Sequence, residues 1–163
     1  LEKNALPVPA ELALSIARRE SEFYPKARSH VGAAGLMQLM PKTGQAMADR
    51  VGMSDFDVDD LYDPAINVRL GSEYLAKLTE DYGYNIPLIA AGYNAGPSRA
   101  NAWIERYGDP RSNDTNAIDW IEHIPFRETR NYVMRVAESV PVYRARISGS
   151  VQNITLSKDL KAR

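Results

Sequence analysis

The chain has 163 residues, 44% hydrophobic and 25% charged, with a formal net charge of -1, two histidines and no cysteine. That length suits one domain with its own hydrophobic core, and the near-neutral charge gives no electrostatic reason to bind nucleic acid or anionic lipid. Two histidines without cysteine leave little material for a zinc site and none for a disulfide or thiol nucleophile, and no apolar run is long enough to span a bilayer.

Helix signals run through the chain in order. The opening "LEKNALPVP" has no initiator methionine and reads as the start of a piece of a longer or processed protein. A first predicted helix begins near Pro9 and runs through Glu20. Pro41 opens a second in "MPKTGQAMADRVG", and Gly52 closes it. Asp63 is the predicted N-cap of a third, with Pro64 at its first position and Gly83 as its stop. "NIPLIAAGYNAG" reads as a short, almost wholly apolar helix, and "PSRANAWIERYG" as the next. A sixth lies around "NAIDWIEHI". A seventh runs from Arg127 to about Ile147, with Pro141 expected to kink it. Period-2 alternation appears only in the tail, "ISGSVQNITLS", whose role the pattern does not define. The predicted fold class is all-α, in one domain over 1–163 with its core at about 9–147.

One position breaks the helical pattern. Ala13, Ile16 and Ala17 form an apolar stripe at i, i+3 and i+4, and the i+7 position is Glu20. Arg18 and Arg19 are adjacent in sequence but do not face Glu20 on a helix. A structural ion pair is one reading of such an acid. The other is chemical: desolvation disfavours the anion and raises the pKa, and a carboxyl that stays protonated near neutrality can act as a general acid. Acid-assisted cleavage of an acetal or ester is the first class to consider.

Three further segments add to this. "SHVGAAGLMQLMP" sets Gln38 among Leu36, Met37, Leu39 and Met40, after small residues that permit close backbone approach. It is either core with an amide tying down a loop, or an apolar wall offering an amide donor and acceptor to an acetamido group. "GYNAGP" places Tyr93 and Asn94 at a helix end, as turn chemistry or as a cleft rim. "IEHIPFRETRNYV" adds Glu122, flanked by Trp120, Ile121 and Ile124. Glu128 and Arg130 in the same segment read as a structural ion pair or caps.

Together, "ES" at Glu20–Ser21, "GLMQLMP" at 35–41, "GYNAG" at 92–96 and "IEHIPFRETRNYV" at 121–133 resemble the catalytic domain of the soluble lytic murein transglycosylases. That group is glycoside hydrolase family 23, with a goose-type-lysozyme-like fold. The motifs stand in the family's order and span roughly 9–147. Two departures are small: Gly92 replaces an expected alanine, and His30 stands where the family often has another residue beside the serine.

The resemblance implies roles position by position. Glu20 is the single catalytic acid/base. Ser29, Gln38, Met40 and Tyr93 contact the sugar beside it, Glu122 faces the muramoyl site, and Asn94 belongs to the same wall. Ser21, Arg130 and Tyr132 serve structure. No cofactor or metal is implied. The implied partner is the peptidoglycan glycan strand, with an N-terminal helical region in the parent protein, in the periplasm or cell envelope of a Gram-negative bacterium. With no second acid evident near Glu20, the substrate must supply the missing groups, and the product is a 1,6-anhydro sugar. A goose-lysozyme-like hydrolase, a non-catalytic glycan-binding module and a helical protein-binding scaffold are the rival readings.

Overall fold

A computed structural model describes residues 6–150 and 156–162. All regular elements among the described residues are helical: α1 (Ala10–Ser21), α2 (Pro41–Arg50), a 3-10 helix (Val58–Tyr62), α3 (Pro64–Tyr82), α4 (Ile86–Ala95), α5 (Pro97–Tyr107), α6 (Ala117–Glu122), α7 (Arg127–Ser148) and α8 (Leu156–Lys161). The mainly helical class expected from the sequence is the one observed. The residues divide into two compact units, Leu1–Ala76 and Lys77–Arg163.

In the first unit, the apolar stripe of α1 is buried at Leu12, Ala13, Ile16 and Ala17. Asp63 caps α3 as its sequence position implies: its Oδ1 accepts from the N–H groups of Ala65 (2.9 Å) and Ile66 (3.0 Å), satisfying donors that the first turn would otherwise leave open. Asp57 and Asp60 form a reciprocal capping box on the 3-10 helix, an element the sequence reading did not anticipate. That helix packs on α2.

The loop between α1 and α2 carries no helix, yet its shape is tightly determined. Isolated bridges pair Arg28 with Ala34 and Ala34 with Leu39. Beneath them lies Asn67 of α3, fully buried. Its Oδ1 accepts from Met37 N–H at 2.7 Å, and its Nδ2 donates to Ala34 O at 3.0 Å and Leu61 O at 2.8 Å. Gly35 has φ +79, and a Cβ there would fall on Leu61 O and 2.7 Å from Asn67 Cγ. Only glycine meets both the left-handed backbone and this approach.

In the second unit, α4 is buried continuously from Ile86 through Gly92, as an all-apolar helix must be. It packs against α5 and α7. Asn85 caps its start and also donates from Nδ2 to Leu160 O at 2.9 Å, anchoring α8. Helix α7 buries Thr129, Tyr132, Val133, Val136, Ala137 and Val140, a stripe at helical spacing. Pro141 lies inside α7, and the helix continues to Ser148. Arg144 clamps Asp159 of α8 through two bonds of 3.1 Å. A Cβ at Gly92 would stand 3.0 Å from Tyr82 Cε2 and 3.1 Å from Leu78 Cδ2, so glycine seats α4 closer to these side chains than alanine would. Of the alternating tail, Ile147 and Ser148 end α7, residues 151–155 lie outside the described residues, and α8 is helical where the pattern gave no helix signal.

Replacing Asn67 by alanine removes the side-chain partner of Met37 N–H and of Leu61 O, while Ala34 O keeps Leu39 N–H at 3.0 Å. Each buried group left unpaired costs about 1–3 kcal/mol, so urea denaturation should show a loss of about 2 kcal/mol or more. A loss under about 1 kcal/mol would contradict this role for Asn67.

Candidate active site

Glu20 occupies the last turn of α1, immediately beyond the buried Ile16 and Ala17. It is half-buried. The acid therefore stands where the apolar stripe meets the surface, not in the full interior that the stripe alone suggested. The chain then leaves α1 through two consecutive non-glycine residues in the left-handed region, Glu22 (φ 52) and Phe23 (φ 65). Such conformations cost on the order of 1–3 kcal/mol each and persist where surrounding structure enforces them. Glu22 itself is exposed.

The residue after Glu20 ties this helix end to the loop. Ser21 Oγ donates to Leu36 O at 2.7 Å, with a second contact of 3.2 Å to Ala17 O. This is the structural role expected for Ser21, and it fixes the "LMQLM" segment against the turn that carries Glu20.

That segment divides its duties by residue. Met37 and Leu39 are core, while Met40 is 42% exposed. Gln38 is half-buried with φ 47. Its Nε2 donates to Ala27 O at 3.0 Å and Gly35 O at 2.9 Å. Two carbonyl partners settle the amide orientation and use both of its N–H groups. Of the two readings the loop tie is formed: Gln38 ties down its own loop through the donor side, and only Oε1 has no partner among the described residues. Ser29 is also half-buried. Its Oγ accepts from Ala33 N–H at 2.9 Å, closing the turn. The hydroxyl proton has no acceptor among the described residues, so Ser29 keeps a hydrogen-bond donor to give.

In the second unit, Tyr93 and Asn94 lie in the last turn of α4, both half-buried. Asn94 Oδ1 accepts from Thr129 Oγ1 of α7 at 2.7 Å, which orients the amide and leaves its Nδ2 without a partner among the described residues. Glu122 ends α6 and is exposed, beside the buried Trp120, Ile121 and Ile124. Its carboxylate has no partner among the described residues. Arg130 Nη1 donates to Glu122 O at 3.3 Å and Ile124 O at 3.0 Å. Arg130 thus caps the end of α6, as one of its expected roles had it. The alternative ion pair with Glu128 is not formed: Glu128 is exposed and Arg130 is spent on carbonyls. Among the described residues, no group of three or more His, Asp or Glu is placed to hold a metal ion.

Two features of the site escaped sequence reading. The strained backbone at Glu22, Phe23 and Gln38 has no local signal, because none of these residues favours positive φ. Asn67 was visible only as one amide in "INVRLG", and two of its three partners lie 30 and 33 residues upstream.

Comparison with known proteins bears on this geometry. The family described as "Transglycosylase SLT domain" matches residues 2–116, a span that takes in the Glu20, "GLMQLMP" and "GYNAG" segments and stops before Glu122. The soluble lytic murein transglycosylase of Escherichia coli (strain K12) is 36% identical over 138 residues, covering 84% of this chain and 21% of that protein. A lytic transglycosylase Slt from Pseudomonas aeruginosa, solved as an inactive mutant, superposes with a TM-score of 0.76 at 37% identity, over 88% of this chain and 22% of that one. The 70 kDa soluble lytic transglycosylase of Escherichia coli gives 0.81 at 32% identity, over 96% and 25%. The chain thus spans about a fifth to a quarter of the length of these proteins, and it has their lysozyme-like helical fold. With the family matched over most of its length, and relatives more than 30% identical over four-fifths of it or more, the chain belongs to the transglycosylase SLT domain family, that of the lytic murein transglycosylases.

Proposed function

We propose that this chain cleaves the β-1,4 bond between N-acetylmuramic acid and N-acetylglucosamine in peptidoglycan, and that it ends the muramic acid as a 1,6-anhydro sugar. The observation that carries the reading is Glu20. It is a half-buried acid at the end of a buried helix stripe, with Ser21 binding its turn to the loop that bears Ser29 and Gln38. The inactive mutant named among the structural neighbours changes a glutamate to glutamine, which supports a mechanism dependent on one such residue.

Most glycosidases use two carboxyl groups, one as acid and one as nucleophile or base. Here the next acid along the chain, Glu22, is exposed on the strained turn beyond α1. The substrate can replace the second group. Protonated Glu20 donates to the leaving glycosidic oxygen while the 2-acetamido oxygen of muramic acid attacks its own anomeric carbon, giving a cyclic oxazolinium and a free alcohol on the departing sugar. Glu20, now a carboxylate, takes the proton from the muramic 6-hydroxyl. That oxygen attacks the anomeric carbon, the ring of the intermediate reopens, and the proton is back on Glu20. No water enters the balance, and the attacking hydroxyl benefits from being intramolecular. Ser29, Gln38, Met40, Tyr93, Asn94 and Glu122 are proposed as substrate contacts. Ser29 would give its spare O–H, Gln38 would accept at Oε1, and Met40 would supply exposed apolar surface. We place the reaction in the periplasm or envelope of a Gram-negative bacterium, and assign residues 1–163 as one catalytic domain of a longer protein with an N-terminal helical region. No helix among the described residues is long and apolar enough to cross a membrane.

Glu20→Gln should leave the fold intact and lower peptidoglycan clearing by more than about 100-fold, because an amide cannot donate the proton. Retention within about tenfold of the parent rate, a barrier change of only about 1.4 kcal/mol, would contradict the assignment.

The pH profile follows from the same step. Cleavage requires the protonated acid, so turnover should decline as pH rises through the Glu20 pKa. A turnover number that keeps climbing through the neutral and alkaline range would exclude a carboxylic acid as donor.

Products of digested glycan strands should be lighter by one water than those of a lysozyme, and borohydride should leave their masses unchanged. Reducible ends on most products would show that water completes the reaction and that the enzyme is a goose-lysozyme-like hydrolase.

A further inference from the structure

In the second unit, Thr129 is a hydroxyl residue where the packing calls for an apolar one. It lies in the first turn of α7, 3% exposed, on the buried stripe that continues through Tyr132, Val133 and Val136. That helix packs on α4, itself buried continuously from Ile86 through Gly92. A buried hydroxyl costs stability unless it is bonded, and valine has nearly the same shape without a polar group. The Thr129 hydroxyl makes one bond among the described residues, and its acceptor is not a core carbonyl. Its Oγ1 donates to Oδ1 of Asn94, in the last turn of α4, at 2.7 Å.

This bond decides what Asn94 can offer a ligand. A side-chain amide has two ends of similar shape and opposite chemistry, an acceptor oxygen and a donor nitrogen, and rotation about its last torsion exchanges them. With the Thr129 proton committed to Oδ1, Nδ2 keeps both of its N–H groups unspent among the described residues. The reverse orientation would set an N–H group against the hydroxyl oxygen. It would also leave the buried O–H proton without the one acceptor it has, which is the costly state. A half-buried amide at a helix end is thereby made a donor of fixed direction.

We propose that Thr129 is a positioning residue for glycan cleavage: its buried hydroxyl holds the Asn94 amide with Nδ2 as the donor, so that Asn94 reads a hydroxyl or carbonyl oxygen of the glycan. An acetamido N–H presented at the same place finds no acceptor there. This rests on the cleavage reading above, in which Asn94 contacts substrate, and adds to it a residue that acts without touching substrate. The ordering is complete before the glycan arrives, so binding does not have to select one amide orientation from two.

A double-mutant cycle on turnover tests this. The kcat/KM of the full chain on soluble glycan strands is measured for Thr129→Val, Thr129→Ser, Asn94→Ala and Asn94→Asp, with a thermal melt of each. Thr129→Val should lower kcat/KM by about tenfold, the ordinary worth of one hydrogen bond, and Thr129→Ser, which keeps the O–H, should stay within about twofold of the parent. Asn94→Asp keeps the shape and can still accept from Thr129, but it offers no donor, so it should lose as much as Asn94→Ala. In the Asn94→Ala background, Thr129→Val should change kcat/KM no further. A merely structural tie between α4 and α7 would lower the melting temperature of Thr129→Val and spare its kcat/KM, which would overturn the proposal. So would a Thr129→Val loss that persists undiminished beside Asn94→Ala, or parental turnover in Asn94→Asp. All three of those results leave cleavage by the parent chain in place. A parent chain that cleaves no glycan would overturn the cleavage reading and this inference together.

Discussion

The geometry of the Glu20 unit depends on one buried amide. Asn67 spends its acceptor on Met37 N–H and its two donors on Ala34 O and Leu61 O, so all its hydrogen bonds inside the core are made to backbone. Turns and bridges pair many of the loop's backbone groups with one another but not all of them, and a buried group left over needs a partner. Here α3 supplies one to Met37 N–H through a side chain. Gly35 completes the arrangement, because any side chain there would occupy the space that Asn67 fills. The loop is held from below by Asn67 and from the side by Ser21, and both ties are buried or partly buried, where water competes poorly for them.

This anchoring explains how the loop can hold strained backbone. Gln38 at φ 47 and the Glu22–Phe23 pair at φ 52 and 65 are conformations that these residue types avoid in isolation. At Gln38 the strain has a visible offset, two hydrogen bonds from its amide to Ala27 O and Gly35 O. The consequence is an amide whose nitrogen is fixed and whose oxygen is left without a partner among the described residues. A site built this way loses little entropy when a ligand arrives. The second unit reaches the same end by other means. Asn94 is held through Thr129, and the end of α6 through Arg130.

The helices were legible because their signals are local and redundant. Asp63 with Pro64, the uninterrupted apolar run of α4 and the i, i+3, i+4 stripe of α1 each point to a helix. The 3-10 helix at 58–62 and α8 were not legible. Both are short, and α8 is held by distant partners, Arg144 and Asn85. The burial of Glu20 was half legible. Periodicity locates the stripe, but it cannot say where the stripe reaches the surface, and Glu20 sits at that edge. Gln38 admitted two readings, a loop tie or an amide open to a ligand, because nothing in "GLMQLMP" signals a left-handed backbone that turns the side chain onto its own loop. The four-motif pattern identified the family although each motif separately also fitted ordinary core or turn chemistry.

The chemical claim at the centre is that Glu20 acts twice, as acid and then as base, and that the second nucleophile is the substrate's own hydroxyl. An isotope experiment reaches this most directly. Peptidoglycan is digested in water enriched in oxygen-18, and the released muropeptides are weighed. If the 6-hydroxyl closes the ring, no solvent oxygen enters any product and their masses match those from ordinary water. Incorporation of one labelled oxygen for each bond cleaved would mean that water attacks the intermediate, and would contradict the account.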